Sequence, residues 1–169
     1  MVAAAVWALE QPLDKLLLHC EYDDVQLLGT AVTRGRAVYP VGLAMHIANG
    51  AVFGALYANF VGTIPLPRPL CGPAVSLCEH VTLWPLGALS DRFHPARKEL
   101  PRLQGNQRAF AQGALRHLLF GLTLGELERR LNAAPEPAPP PAALDVSSNG
   151  HGSIERAASG EPASGESRR

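Results

Sequence analysis

The fold is decided by one uncharged stretch, Tyr39-Pro-Val-Gly-Leu-Ala-Met-His-Ile-Ala-Asn-Gly-Ala-Val-Phe-Gly-Ala-Leu-Tyr57. It lies within 31 consecutive residues, between Arg36 and Arg68, that include no Asp, Glu, Lys or Arg. A helix in a soluble bundle usually keeps a charged face toward water, and this stretch has none. Because about 20 apolar residues in a helix cross a bilayer, it predicts a membrane span at about Val38–Phe60. A soluble helical bundle with long core helices is the alternative.

Two further stretches carry a single charge each. The first contains 22 residues whose only charge is Glu79, and the second contains 17 residues whose only charge is Arg116. They predict spans at about Leu70–Leu89 and Ala109–Leu127. Pro85 lies late in the first of these spans and predicts a kink there, because proline lacks the amide hydrogen of the helical ladder.

The N-terminal segment is apolar only as far as Leu9, because Glu10 follows. About nine residues are too few to cross a bilayer. No basic residues precede them, so we expect no cleaved signal peptide. Two interpretations stay open: a helix at about Val2–Leu18 that holds its polar residues near the interface, or a chain that lacks the first half of its first span. The first completes an all-α membrane bundle of four spans.

The second and last spans share the pattern Gly-x3-His-x3-Gly-x3-Gly, with corresponding residues offset by 71 positions. Residues four apart lie on one helix face, where glycine lets a neighbouring backbone approach closely. We therefore predict a tandem two-helix repeat of the parallel type, with the glycines acting in helix packing rather than in ligand binding. The residues are Gly42, His46, Gly50 and Gly54 in the first copy, and Gly113, His117, Gly121 and Gly125 in the second.

The spans also contain polar side chains that lipid disfavours. At the rise of an α-helix, the charged and histidine positions fall at one depth, roughly 12–15 Å from the cytoplasmic ends of their spans. Ionisable side chains inside membranes usually face the bundle interior and pair with one another, which predicts an ion pair between Glu79 and Arg116. The predicted polar layer consists of His46, Asn49, Glu79, His80, Arg116 and His117.

Three interpretations of this layer stay open. It is a structural ion pair with histidine hydrogen bonds that fix the helix register, or a proton-responsive site, because histidine titrates near neutral pH. In the third, His46 and His117 are axial ligands of a haem held between two spans. The first two need no cofactor, and no metal-ligand motif occurs in the chain.

The distribution of Lys and Arg predicts the orientation. The loops Glu10–Arg36 and Ser90–Arg108 contain eight basic residues, whereas three lie near the spans on the other side. Because basic residues concentrate in cytoplasmic loops, we expect residues 19–36 and 90–108 to lie in the cytoplasm. The first of these loops also predicts a short, aspartate-capped helix from about Asp24.

Composition separates an apolar body from a polar tail at residues 133–169. The tail holds three hydrophobic residues other than alanine and no aromatic ones, and its Pro, Ser and Gly content predicts disorder. Over the whole chain 15 basic side chains balance 15 acidic ones, which excludes the basic footprint of a nucleic-acid binder. The odd number of cysteines predicts buried free thiols rather than disulfides at Cys20, Cys71 and Cys78.

About half of the chain, residues 46–130, carries a pattern found in one protein family. The pattern consists of His46 early in one span, His80-Val-Thr-Leu-Trp-Pro-Leu86 in the next, and His117 in the last, followed by Glu126-Leu-Glu-Arg-Arg130. It resembles the YagU-like family of small multi-pass bacterial inner-membrane proteins. The resemblance implies a helical inner-membrane protein, and it implies no reaction.

The sequence contains no motif typical of an enzyme. Its serines lack a nucleophile-elbow context, and the HExxH motif of zinc proteases does not occur. We therefore predict a non-enzymatic membrane protein with a structural, accessory or transport-related role, which contacts the lipid bilayer and can form homo-oligomers. The alternative is a proton-linked transporter or pH-responsive element that uses the polar layer, and the third hypothesis is a haem-binding membrane protein.

Overall fold

The computed structural model describes residues 1–132, which form helices and connecting turns without a strand. The all-α fold class is therefore confirmed for this part of the chain. The tail predicted to be disordered, residues 133–169, lies outside the described residues. Six α-helices follow in chain order: α1 (Val2–Leu18), α2 (Asp24–Val32), α3 (Val38–Phe60), α4 (Arg68–Leu83), α5 (Gly87–Phe93) and α6 (Gln107–Leu131).

The first two predicted spans have the predicted bounds, whereas the third is interrupted. The sequence predicts one helix over Leu70–Leu89, but α4 ends at Leu83 and a 3-10 turn, Trp84–Leu86, separates it from α5. Pro85 lies in this turn and lacks the amide hydrogen that would continue the α-helix. The α-helical hydrogen bonding is thus interrupted at Trp84–Leu86, whereas the backbone stays right-handed helical from Leu83 to Gly87.

α2 confirms the short helix predicted from about Asp24. Its cap is the preceding residue, Asp23, whose Oδ1 accepts a hydrogen bond from the Gln26 amide at 2.8 Å. An acceptor at this position satisfies one of the free amides of the first helical turn. Asp23 also pairs with the ammonium of Lys15 in the last turn of α1, so the same carboxylate fixes the turn between α1 and α2.

Two pairs of glycines bring helices into backbone contact. Gly29 of α2 faces Gly42 of α3, and Gly72 of α4 faces Gly121 of α6. A Cβ atom at any of the four would overlap a backbone carbonyl oxygen of the opposing helix. Close approach of this kind is the packing expected of small residues between membrane helices.

The six glycines predicted to act in packing fall into three groups. Two touch the backbone of the neighbouring helix, two touch a side chain closely, and two have only ordinary van der Waals neighbours. At two of the three positions shared by the repeats, the glycine of one copy touches backbone and the glycine of the other touches a side chain. The packing therefore does not follow the sequence repeat. The groups are, in that order, Gly42 and Gly121, Gly50 and Gly113, and Gly54 and Gly125.

The interior combines apolar clusters, such as the one around Trp7 and Phe120, with fully buried polar side chains, and the exterior is rich in large apolar ones. The largest fully buried side chains include Arg116, Gln112 and Asp14. Large hydrophobic side chains lie outside, with 79% exposure at Leu9 and 62% at Val52. Soluble proteins usually bury large apolar side chains and leave these polar types at the surface. An apolar exterior of this extent is typical of a surface that contacts lipid or another protein.

One helical segment among residues 1–132, Gly35–Thr63, is long and apolar enough to cross a membrane by length and composition. Only 22% of its most apolar part is buried against the rest of the protein, whereas the core helix of a soluble protein is mostly buried. α1 and α4 are shorter, with 17 and 16 residues. Membrane character is therefore supported by one helix, and the predicted four spans are not confirmed.

The three cysteines differ in burial. Cys20 and Cys71 are buried free thiols, as predicted. Cys78 is exposed on α4, so the prediction is wrong at that position. The reason is the orientation of α4, which turns Gly72 and Ser76 toward α6 and leaves Cys78 on its outer side.

Candidate functional site

Four of the six predicted polar side chains line one cavity of about 430 Å³, here called the polar cavity. His46 and Asn49 reach it from α3, Glu79 from α4 and His117 from α6. Asp24 of α2 lines it as well, although its loop gave no sequence signal for a site. The tertiary structure thus brings most of the predicted layer together, with one carboxylate added.

Four aromatic rings form a row beside and through this cavity. In order they are His80, His117, Trp7 and His46, with centroid separations of 4.7, 4.5 and 5.1 Å. The Trp7 indole occupies the space between His46 and His117. A haem ligated by both histidines would have to displace that indole, so the residues present do not fit the haem hypothesis.

Glu79 contacts His117 through the second ring nitrogen of the histidine. The His117 Nδ1 lies 2.7 Å from the Gly113 carbonyl oxygen, which only accepts, so Nδ1 carries a hydrogen. The other ring nitrogen, Nε2, lies 3.2 Å from the Glu79 Oε2. A proton between these two atoms would make the contact a hydrogen bond, whereas a carboxylate facing an unprotonated nitrogen would repel it.

His80 stands outside the polar cavity and has a different partner. Its Nε2 donates to the Phe110 carbonyl oxygen at 3.1 Å, across the contact between α4 and α6. Its ring lies over Gly113, where a Cβ atom would come within 2.6 Å of the ring. His80 is adjacent to His117, so a positive charge on one ring disfavours a positive charge on the other.

Arg116 bonds to two aspartates, and its predicted pairing with Glu79 is wrong. Its Nε and Nη2 donate to the two carboxylate oxygens of Asp14, with Nη2 and Oδ1 2.7 Å apart. Its Nη1 donates to the Oδ2 of Asp24 at 2.6 Å, and its Nη2 to the Tyr22 carbonyl oxygen at 2.9 Å. A fork of donors against a carboxylate is the strongest geometry available to arginine.

The reason for the wrong pairing lies in the geometry of α6. Consecutive residues point about 100° apart around a helix, so Arg116 and His117 face different neighbours. α4 presents Glu79 to the His117 side, whereas α1 and the start of α2 present acids to Arg116. Gln112, one turn earlier on α6, completes the network by donating to the Oδ1 of Asp14 at 2.6 Å.

Asp24 connects the buried arginine to the polar cavity. Its Oδ2 accepts hydrogen bonds from the Arg116 guanidinium and from the Trp7 indole Nε1, the latter at 3.0 Å. Burial by itself raises the pKa of the Asp24 carboxyl, but the adjacent Arg116 charge and the hydrogen bonds to the carboxylate outweigh burial and lower it. Asp24 is therefore a charged carboxylate at the cavity wall.

Sequence reasoning missed Trp7, Asp14, Asp24 and Gln112 as members of this site. One signal was present: an arginine in an otherwise uncharged span needs a buried acid, and Asp14 lies in a predicted span. Nothing local links the two, because Asp14 and Arg116 are 102 residues apart in the chain. Their pairing depends on how α1 packs against α6.

Comparisons of the chain with protein-family models, with curated proteins and with solved structures find no match. The resemblance to the YagU-like family stays a prediction. The polar cavity and the buried Arg116 network are the features from which a function follows.

Proposed function

We propose that this protein is an integral membrane protein in which α1, α3, α4 with α5, and α6 cross the bilayer. The observation that carries this proposal is the polarity of the bundle, with polar side chains fully buried and large apolar ones exposed. In a bilayer such a surface meets hydrocarbon, and buried ions pair with one another as Arg116 does. The distribution of Lys and Arg then places the basic loops, residues 19–36 and 90–108, in the cytoplasm. The YagU-like resemblance implies that the membrane is a bacterial inner membrane.

Cysteine accessibility tests the membrane proposal. In membrane vesicles of a variant whose native cysteines are replaced, Ala48→Cys is expected to react far more slowly with a water-soluble maleimide than Arg97→Cys. Ala48 is an exposed residue of α3 that does not line the polar cavity and would face lipid, where a thiol does not ionise, whereas Arg97 lies in a loop. Equal rates in intact vesicles, or a monodisperse protein in buffer without surfactant, would contradict the proposal.

Within the membrane, the protein serves as a proton-linked transporter or pH-responsive element and not as an enzyme. The contact between Glu79 and His117 supports this role, and the proposal assigns one shared proton to it. When the proton leaves, the Glu79 carboxylate and the Nε2 lone pair of His117 face each other at 3.2 Å and repel. The Glu79 side chain is 35% exposed and lines the polar cavity, so it has room to move away.

Arg116 has a structural role in this proposal. Its side chain has no exposed surface and is fixed by two aspartates and a backbone carbonyl. An arginine stays protonated in proteins, so the Arg116 guanidinium does not take part in proton release or uptake. Proton exchange therefore belongs to Glu79 and His117, and the Arg116 network holds α1, α2 and α6 in place around them.

The fluorescence of Trp7 reports the proton directly. The ring of Trp7 lies 4.5 Å from that of His117, and a protonated imidazole in contact with an indole quenches its emission. In a Trp84→Phe background, Trp7 emission is expected to rise with pH in a single transition as the proposed proton leaves His117. Glu79→Gln is expected to alter this transition, because His117 loses the carboxylate with which it would share the proton.

Two control variants and two variants of the cavity histidines make this titration decisive. His19→Asn and Glu126→Gln change a histidine and a glutamate that do not line the polar cavity, so neither is expected to alter the transition. His117→Gln is expected to abolish it. If the transition survives His117→Gln and is lost in His46→Gln, the proton resides on His46 and the proposed pair is wrong.

A further inference from the structure

We propose that the polar cavity binds a small organic ammonium ion, whose binding displaces the proton shared by Glu79 and His117. This inference rests on the proposed function and names the class of its substrate. The volume of about 430 Å³ accommodates an amine with a hydrocarbon body as well as its charged nitrogen.

The polar groups of the cavity wall favour a cation. Two carboxylates, Asp24 and Glu79, line the cavity together with the amide of Asn49 and two histidines. No lysine or arginine of residues 1–132 lines it. An anion would meet carboxylates without a matching charge, whereas an ammonium group would find acceptors from α2, α3 and α4.

The buried network next to the cavity contains more carboxyl groups than cations. Arg116 is in contact with both Asp14 and Asp24, so one guanidinium serves two carboxyl groups, and Glu10 of α1 lies beside Asp14 as well. Asp24 is the carboxylate of this network that lines the cavity, so a cation that enters the cavity is stabilised by it.

One acceptor in the wall has no partner. The Nε2 of His46 is buried and forms no hydrogen bond with any of the described residues. His46 as a whole is only 8% exposed, and a polar atom in such a place costs free energy unless a partner is bound. An ammonium N–H in the cavity would donate to this nitrogen, which makes His46 the clearest sign of a missing ligand.

The apolar part of the wall suits the hydrocarbon body and the charge of such a ligand. Phe53 and Phe120 line the cavity, with ring centroids 5.3 Å apart, and the Trp7 ring lies 5.9 Å from that of Phe120. Aromatic faces attract organic cations, and the attraction strengthens where water is excluded. Together with the carboxylates they distinguish an organic ammonium from a metal ion, which prefers several oxygen ligands.

Proton and ammonium compete for one carboxylate in this arrangement. The titratable groups that face the pair are Asp24 from α2, His46 from α3 and His80 from α4. With a proton between Glu79 and His117, the carboxylate is occupied. When an ammonium ion donates to Glu79, the proton leaves and His117 stays neutral, so binding of one cation releases one proton.

Isothermal titration calorimetry of the full chain in detergent micelles tests the site with cyclohexylammonium chloride. Saturable binding of one ion per chain is expected, and binding is expected to weaken as the pH is lowered, because the proton and the ammonium ion compete for Glu79. Cyclohexanol and cyclohexanecarboxylate, which share the ring but not the charge, are expected not to bind. Glu79→Gln is expected to weaken binding about tenfold to a hundredfold, since a charge-assisted hydrogen bond is lost.

Glu126→Gln, outside the cavity, is the matched control and is expected to bind normally. Equal binding of cyclohexanol and cyclohexylammonium, or no effect of Glu79→Gln, would overturn the ammonium site. If the Trp7 titration behaves as proposed but cyclohexylammonium does not bind, the proton pair stands and this inference fails. If cyclohexylammonium binds with the expected sensitivity to Glu79→Gln but Trp7 shows no transition, the cation site stands and the proton proposal fails.

Discussion

Replacing Arg116 by methionine is expected to lower the free energy of unfolding by about 3–5 kcal/mol, a large part of the stability of a small domain. The substitution leaves Asp14 fully buried without its cation, and Asp24 without its charged donor. Methionine occupies a similar length, so the loss comes from the uncompensated carboxylates rather than from a cavity. Thermal unfolding in detergent micelles, followed by circular dichroism, measures it.

Two comparisons separate the buried network from a general effect of removing arginine. Arg129→Met, on the same helix, breaks only an exposed pair with Glu126 at 2.8 Å and is expected to have a far smaller effect on stability. Asp14→Asn added to Arg116→Met is expected to recover part of the loss, because it removes the unpaired charge. Recovery by Glu79→Gln instead would show that Arg116 pairs with Glu79 and would refute the network.

Gly42→Ala and Gly121→Ala are each expected to destabilise the bundle by about 3 kcal/mol, whereas Gly54→Ala is expected to be neutral or stabilising by up to about 1 kcal/mol. At Gly42 the new Cβ overlaps the Val25 carbonyl oxygen, and at Gly121 it overlaps the Gly72 carbonyl oxygen. Backbone cannot rotate away as a side chain can, so the helices must separate. At Gly54 the nearest atom is the Leu124 Cδ1 at 3.5 Å, an ordinary contact.

This comparison uses residues that the sequence pattern treats as equivalent. Gly42 and Gly54 lie on the same helix, and the alanine side chain is the same, so helix propensity favours alanine equally at both. Unfolding of the three single variants in one detergent provides the measurement. Equal stability of Gly42→Ala and Gly54→Ala would mean that α2 and α3 do not touch through their backbones at this point.

The helices themselves follow from local sequence. The bounds of α1 and α3 match the prediction, although α1 continues through Pro12 and three charged residues and α3 contains three glycines. The interruption at Pro85 also follows from local sequence, because proline lacks the amide hydrogen that would continue the α-helix. The length of the 3-10 turn does not follow from the loss of that one hydrogen bond. The surface of α3 in lipid stays a prediction, based on composition and exposure.

The polar layer was predictable in membership and only partly in arrangement. Glu79, His46, Asn49 and His117 meet in one cavity because similar depth in antiparallel helices brings side chains to one level. Their partners were not predictable from depth. Glu79 contacts His117, whereas Arg116 contacts Asp14. The partners differ because Arg116 and His117 are consecutive residues of α6 and point about 100° apart around the helix.

By itself the sequence determines where the helices run, that one of them can span a bilayer, and which polar side chains the bundle has to accommodate. Only the tertiary structure decides which acid neutralises Arg116, which glycines carry backbone contacts and that Trp7 separates His46 from His117. The physical reason is the separation along the chain of the residues that interact. Helix formation depends on neighbours within one turn, whereas a buried charge or a glycine contact depends on atoms brought together from distant parts of the chain.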